Sequence, residues 1–400
     1  MNNWITLLCA SLISISSFSQ LDIESNKELM DYLHGSDPVF NAILDSTDLH
    51  RVQFIYTRID KENGDTTLKT FNFSNSDFYF YPASVVKLPT ALITLEKMKE
   101  HDLSLDAYMK IHRDQTCGNM SYIEEMEDNR LTMGKMLKEL IIVSNNRYYN
   151  ALYQFVTPKD LNERMASKGI SDTKIYRSFT GCEMPYNLFC NSLTVTDQEK
   201  RKTMIQESSR LDLSRFASRY IWSHKYLFGS KHEYRGNIVN GPFDFNYHLD
   251  YPLKDIHGTM LRLVKPNLFA EEERWDITES DRDYFLGAMK GVPSDLSDEK
   301  YKDKKDYPDN IFKYIVKGDE NPDFKNVETY SKIGIAYGFV TETAYVVDKE
   351  SDIEFFLTAS IYVNANDTVN DGKYEYDEVG RPFLTQLGQK ILDYERRKVQ

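Results

Sequence analysis

The sequence predicts an α/β fold of the α+β kind, in which both ends of the chain build one antiparallel sheet around an inserted helical lobe. Three observations carry this. VQFIYTRIDKENGDTTLKTFNF, residues 52–73, reads as strand, turn and strand, with Asn63-Gly64 as the hairpin signal. From Pro82 to about residue 170, apolar residues recur at helical spacing. Beyond residue 325 the period falls to two before a closing helix.

Taken in order, the chain opens MNNWITLLCASLISISSFSQ, with an apolar core from Trp4 to Ile15 and a small-x-small site at Ser17-Phe18-Ser19. This reads as a secretory signal peptide over residues 1–19, cleaved before Gln20, and implies export to a bacterial periplasm. No later segment approaches 18 apolar residues, so no transmembrane segment is expected. A helical stretch near 26–35 precedes the first hairpin, which begins the sheet lobe (about 20–82 and 325–400). The helical lobe, about 83–324, starts with a core helix and continues through LTMGKMLKELIIV and RYYNALYQFV. Residues 171–195 read as loop. Helices are expected again around DQEKRKTMIQESSRLDLSRFASRYI (197–221), then an aromatic, turn-rich stretch, then helices in LKDIHGTMLRLV and ESDRDYFLGAMKGV. DEKYKDKKDYPD is a solvated loop. YSKIGIAYGFVTETAYVVD and IEFFLTASIYVN are strands, the first pair joined across Gly338, and the last helix carries Leu384, Leu387, Ile391 and Tyr394 on one stripe.

The net charge of −13 argues against nucleic acid as a partner, because phosphate binding needs a basic surface. Eight histidines form no HxH or HExxH pattern and no cysteine pair has metal spacing, so neither metal nor cofactor is expected. Beyond the signal, an oxidising compartment allows Cys117, Cys182 and Cys190 one disulfide and one thiol, with Cys182 and Cys190 the nearest pair. A monomer is expected.

Polar residues interrupt apolar patterns at three places. In YPASVVKLPTALITLEKM, Ser84 and Lys87 lie one helical turn apart on one face of a helix apolar nearly all round. S-x-x-K recurs at Ser171 and Ser297, but in polar surroundings. Ser144-Asn145-Asn146 separates two helices, where a plain N-cap would also serve. Lys332-Ile333-Gly334 sits on a strand otherwise apolar, where a lone lysine could simply protect an edge.

In that order, S-x-x-K, S-x-N and K-x-G form a triple that resembles the penicillin-recognising serine hydrolases, and among them the class A β-lactamases. The resemblance spans residues 50 to 395 and implies the β-lactamase/transpeptidase-like fold. It implies a serine hydrolase that opens an amide, β-lactam-type C–N bond in a small-molecule or peptide-like substrate, through an acyl-serine intermediate. Ser84 would be the nucleophile and Lys87 its base, the lysine pKa lowered by desolvation and by Lys332. Ser144 would relay a proton to the leaving nitrogen, and Asn146 would hold the acyl side-chain amide. The backbone N–H groups of Ser84 and Ile335 would stabilise the oxyanion beside Gly334. GCEMPYN offers Glu183 and Asn187, four apart, as candidates for holding the deacylating water.

The departures from the family pattern are Asn145 for the usual aspartate, Ile333 for a hydroxyl residue, a displaced proline near Glu183, and a long interval that makes residues 200–250 an insertion. The alternatives are a penicillin-binding or peptidase-like acyltransferase with slow deacylation, or a silent binding protein of the same fold.

Overall fold

Two stretches of alternating residues, one from each end of the chain, pair in the computed structural model to form its largest sheet. The structure describes residues 23–399 apart from 36, 63–64, 76–77, 119, 129–130, 213, 215–216 and 218–220. The expected signal peptide and the Asn63-Gly64 turn therefore lie outside the described residues. Strands β1 (Gln53–Glu62) and β2 (Asp65–Phe73) pair antiparallel from Phe54↔Phe73 to Glu62↔Asp65. Strands β3 (Glu328–Ala336), β4 (Phe339–Asp348) and β5 (Ile353–Tyr362) complete the order β3-β4-β5-β1-β2. The β3–β4 hairpin closes through Tyr337 and Gly338, at φ 55° and 86°, the left-handed pair that a two-residue hairpin turn requires.

Helices cover both faces of this sheet. On one face α6 (Arg381–Lys398) and the N-terminal helix Ile23–Leu33 enclose Leu29, Leu33, Phe54, Phe355, Leu387 and Ile391. The Tyr56 hydroxyl donates to Glu395 Oε1 at 2.6 Å, tying β1 to α6. On the other face lie the core helix α1 (Lys87–Glu100), α2 (Met133–Ile142), α3 (Asn146–Val156), α4 (Leu253–Val264) and α5 (Glu279–Lys290). His257 of α4 reaches the sheet, with its ring nitrogens 2.8 Å from Thr57 Oγ1 and 2.9 Å from Thr358 Oγ1. Burial lowers its pKa to about 3, so the imidazole is neutral there. Every residue of α1 from Lys87 to Met98 is buried, as expected of a helix apolar all round. Pro89 costs little because it falls in the first turn, where its missing N–H has no helical partner.

Two expectations are corrected. Residues 202–206, read as helix, form a strand that pairs with Leu193–Asp197, Leu193 facing Gln206. An exposed period-two pattern was hidden there by charged neighbours, and the buried partner strand decides the conformation. The aromatic, turn-rich stretch that follows holds short strands between 227 and 244. Lys231–Tyr234 pairs antiparallel with Asn237–Asn240 and parallel with Thr368–Val369. That pairing joins this stretch to the segment between β5 and α6. The disulfide is also corrected: it links Cys117 to Cys182, while Cys190 is free and buried. Sequence proximity favoured Cys190, but its chain runs into the interior.

Candidate active site

Ser84 sits in a single 3₁₀ turn, Ala83–Val86, that leads directly into α1. Ala83 takes φ 45° to make that turn, a conformation that side chains with a Cβ seldom adopt. Lys87 is the first residue of α1 and wholly buried. Its Nζ lies 2.9 Å from Ser84 Oγ, 3.0 Å from Ser144 Oγ and 2.6 Å from Asn146 Oδ1, and it also meets the Ser144 carbonyl. Four oxygens therefore surround a nitrogen that, as an ammonium, has three protons to give. A neutral amine, also with three hydrogen-bonding sites, can donate to the Ser144 and Asn146 carbonyl oxygens and accept a proton from one hydroxyl. The charge balance points the same way: burial first, and then the Lys332 ammonium, push the Lys87 pKa far below its ordinary value.

Asn145 caps α3, its Oδ1 accepting from Arg147 N at 3.0 Å. The cap and the motif are one structure, since the sharp turn before α3, with Ser144 at φ 56°, aims both the Ser144 hydroxyl and Asn146 at Lys87. Lys332 is 1% exposed on β3 and donates to Ser144 Oγ at 3.0 Å and to the Ile333 carbonyl at 2.9 Å. Burial lowers its pKa to about 7, with Glu342 opposing and Lys313 adding to the shift. Ile333, the next residue along the strand, enters the core on the α6 face.

Gly334 lets the strand approach the serine. A Cβ there would stand 2.3 Å from the Pro82 carbonyl oxygen and 3.0 Å from Ser84 N. The backbones of Ser84 and Ile335 thus face one cleft of about 590 Å³. Its walls include Tyr81, Asn146, Phe179 and Tyr337, with Tyr374 and Tyr376 from the segment after β5.

Ser84, Lys87, Ser144, Asn146, Lys332, Gly334 and Ile335 come together as the sequence reading expected. Glu183 and Asn187 do not join them. Glu183 is exposed and outside the cleft lining. Asn187 is buried, its Oδ1 accepting from Ser178 N at 2.9 Å and Ser178 Oγ at 2.8 Å, and its Nδ2 donating to the Cys182 carbonyl at 2.5 Å. It braces the loop rather than facing the serine. A spacing of four in a loop does not fix which way its side chains turn, and here the loop is tied at Cys182, next to Glu183, to Cys117. Sequence reasoning missed Arg177 and His248, both in the cleft wall; neither sits in a motif, and only folding brings them together.

Residues 40–215 match the beta-lactamase enzyme family. Among solved structures, a representative class A beta-lactamase from Bacteroides cellulosilyticus is 13% identical, with 93% of this chain and 98% of that one covered at a TM-score of 0.52. A beta-lactamase from Burkholderia ambifaria is 11% identical, with 87% and 97% covered at 0.50. Curated proteins give no match. No helix among the described residues is long and apolar enough to cross a membrane. The chain is thus similar to the beta-lactamase enzyme family over residues 40–215, and its fold is β-lactamase-like.

Proposed function

We propose that the protein is an exported serine hydrolase that opens an amide bond of the β-lactam type through an acyl-serine intermediate. The observation that carries this is the buried Lys87 amine, 2.9 Å from Ser84 Oγ and 3.0 Å from Ser144 Oγ. Ser84 Oγ bonds to the substrate carbonyl carbon while its proton passes to Lys87 Nζ. The oxyanion accepts from the N–H groups of Ser84 and Ile335. As the C–N bond breaks, Ser144, in contact with both lysines, passes a proton to the leaving nitrogen. Asn146 holds the acyl amide once Lys87 releases its Oδ1. Residues 1–19 act as the export signal, and resistance to a β-lactam antibiotic is one role such an enzyme could fill.

A second reading is favoured by one observation. No carboxylate lines the cleft among the described residues, and Glu183 is exposed outside it. Without a carboxylate to activate water, deacylation is slow, as in a penicillin-binding or peptidase-like acyltransferase. Intact mass after incubation with benzylpenicillin separates the readings. Wild type that returns to its free mass as penicillin is hydrolysed supports the hydrolase, and a persistent adduct supports the acyltransferase. Ser84→Ala should form no adduct with either penicillin or a fluorophosphonate, and labelling that survives in it removes Ser84 from the mechanism. Glu183→Gln should deacylate at the wild-type rate; an adduct that accumulates only in this variant would restore Glu183 as the base. If wild type neither reacts nor hydrolyses, the chain is a binding protein.

A further inference from the structure

Arg177 lies in the cleft wall without a carboxylate partner among the described residues. Its Nη1 lies 3.0 Å from His248 Nε2, and its Nη2 donates to the Cys182 carbonyl at 3.4 Å. A guanidinium donating to Nε2 requires a neutral imidazole with that nitrogen as acceptor, so His248 orients the arginine without neutralising it. Burial, with the Arg177 charge adding, lowers the His248 pKa to about 3, which keeps the ring neutral at any ordinary pH. The ring itself is fixed among Tyr81, Phe243 and Phe245.

The loop that carries Arg177 is equally constrained. The Cys117–Cys182 bond holds one end, Asn187 braces Ser178, and Phe179 N donates to Asn150 Oδ1 at 2.7 Å. The result is a fixed guanidinium facing a cleft with no carboxylate in its lining, in a protein whose net charge is −13. The two lysines offer no comparable site, since both are buried and turned to Ser144. A preorganised arginine fork suits a planar carboxylate.

We propose that Arg177, held by His248, is the anion-binding group of this cleft, so that the amide opened at Ser84 carries a carboxylate lying against the loop 177–181. The proposal rests on Ser84 being the acylated residue. It assigns a specificity role to a side chain outside the three motifs, supplied jointly by the loop and by the inserted segment that carries His248.

Phenylboronic acid and its 3- and 4-carboxy derivatives test it, since each can bond reversibly through boron to a serine oxygen. Their affinities follow from protection of wild type against fluorophosphonate labelling. The better carboxy derivative should bind wild type about tenfold or more tightly than phenylboronic acid, the difference expected of one charged hydrogen-bonded pair. In Arg177→Gln the ratio should fall to about one, and Arg177→Lys should recover part of it. An equal ratio in wild type and Arg177→Gln, or no carboxylate advantage in wild type, overturns the anion site while leaving Ser84 acylation standing. Absence of fluorophosphonate labelling in wild type instead overturns the acyl-serine reading, and the anion site with it. A Tm measured for each variant separates loss of the guanidinium from loss of the fold.

Discussion

Lys332 lowers the stability of the fold through the same burial that suits it to the site. A lysine whose pKa is held down to about 7 binds fewer protons folded than unfolded between that value and its ordinary one. Stability therefore rises with pH across that window, and the whole penalty is present below about pH 7, where both states are protonated. Lys332→Met removes the titrating group. Its Tm relative to wild type should improve as pH falls from about 9 to about 6, while acylation at Ser84 drops by orders of magnitude. A Tm difference that does not change with pH would refute the lowered pKa. The residues of the three motifs were legible because each is a polar group in an apolar run, which burial alone does not explain. Arg177 and His248 gave no such signal: an arginine and a histidine in polar loops are unremarkable until folding sets them 3.0 Å apart. The Glu183–Asn187 spacing was legible but misleading, because spacing in a loop does not fix which way its side chains turn.

At the scale of elements, the close approach of β3 to the serine turn is the most sensitive join in the molecule. Gly334→Ala places a methyl group 2.3 Å from the Pro82 carbonyl oxygen, which is backbone and cannot swing aside. The strand and the turn must separate, at a cost of about 1–3 kcal/mol. Because Ser84 N and Ile335 N sit on the two separating elements, acylation should fall further than stability does. Fluorophosphonate labelling and urea unfolding of the variant measure the two effects, and a variant that labels at the wild-type rate would show the join to be unimportant. The strands β3, β4 and β5 were readable from period two because one sheet face meets α6 and the other the helical lobe, which leaves little polar sequence to confuse the pattern. The strand Lys202–Gln206 was not, since its conformation comes from Leu193–Asp197 rather than from its own residues.

For the molecule as a whole, the Cys117–Cys182 bond joins positions 65 apart and fixes the loop that forms one wall of the cleft. Closing a loop of that length in the unfolded chain is worth about 4 kcal/mol on the chain-entropy account. Cys190 cannot substitute as a partner, because it is buried with its thiol pushed up to about 12, and a thiol exchanges as thiolate. Three measurements follow from this one arrangement. Peptide mapping of the unreduced protein should recover Cys117 linked to Cys182, with Cys190 resistant to alkylation in the folded state and labelled after denaturation. Cys117→Ser with Cys182→Ser should lower the Tm. If the bond also holds Arg177 in place, the same double variant should lose part of the preference for carboxylated boronates while still labelling at Ser84, because the hydrogen bonds of Lys87 go to Ser84, Ser144 and Asn146 and none to that loop. Recovery of a Cys182–Cys190 peptide would overturn the arrangement outright. A double variant with unchanged Tm and unchanged boronate preference would leave the bond formed but without a part in either stability or recognition.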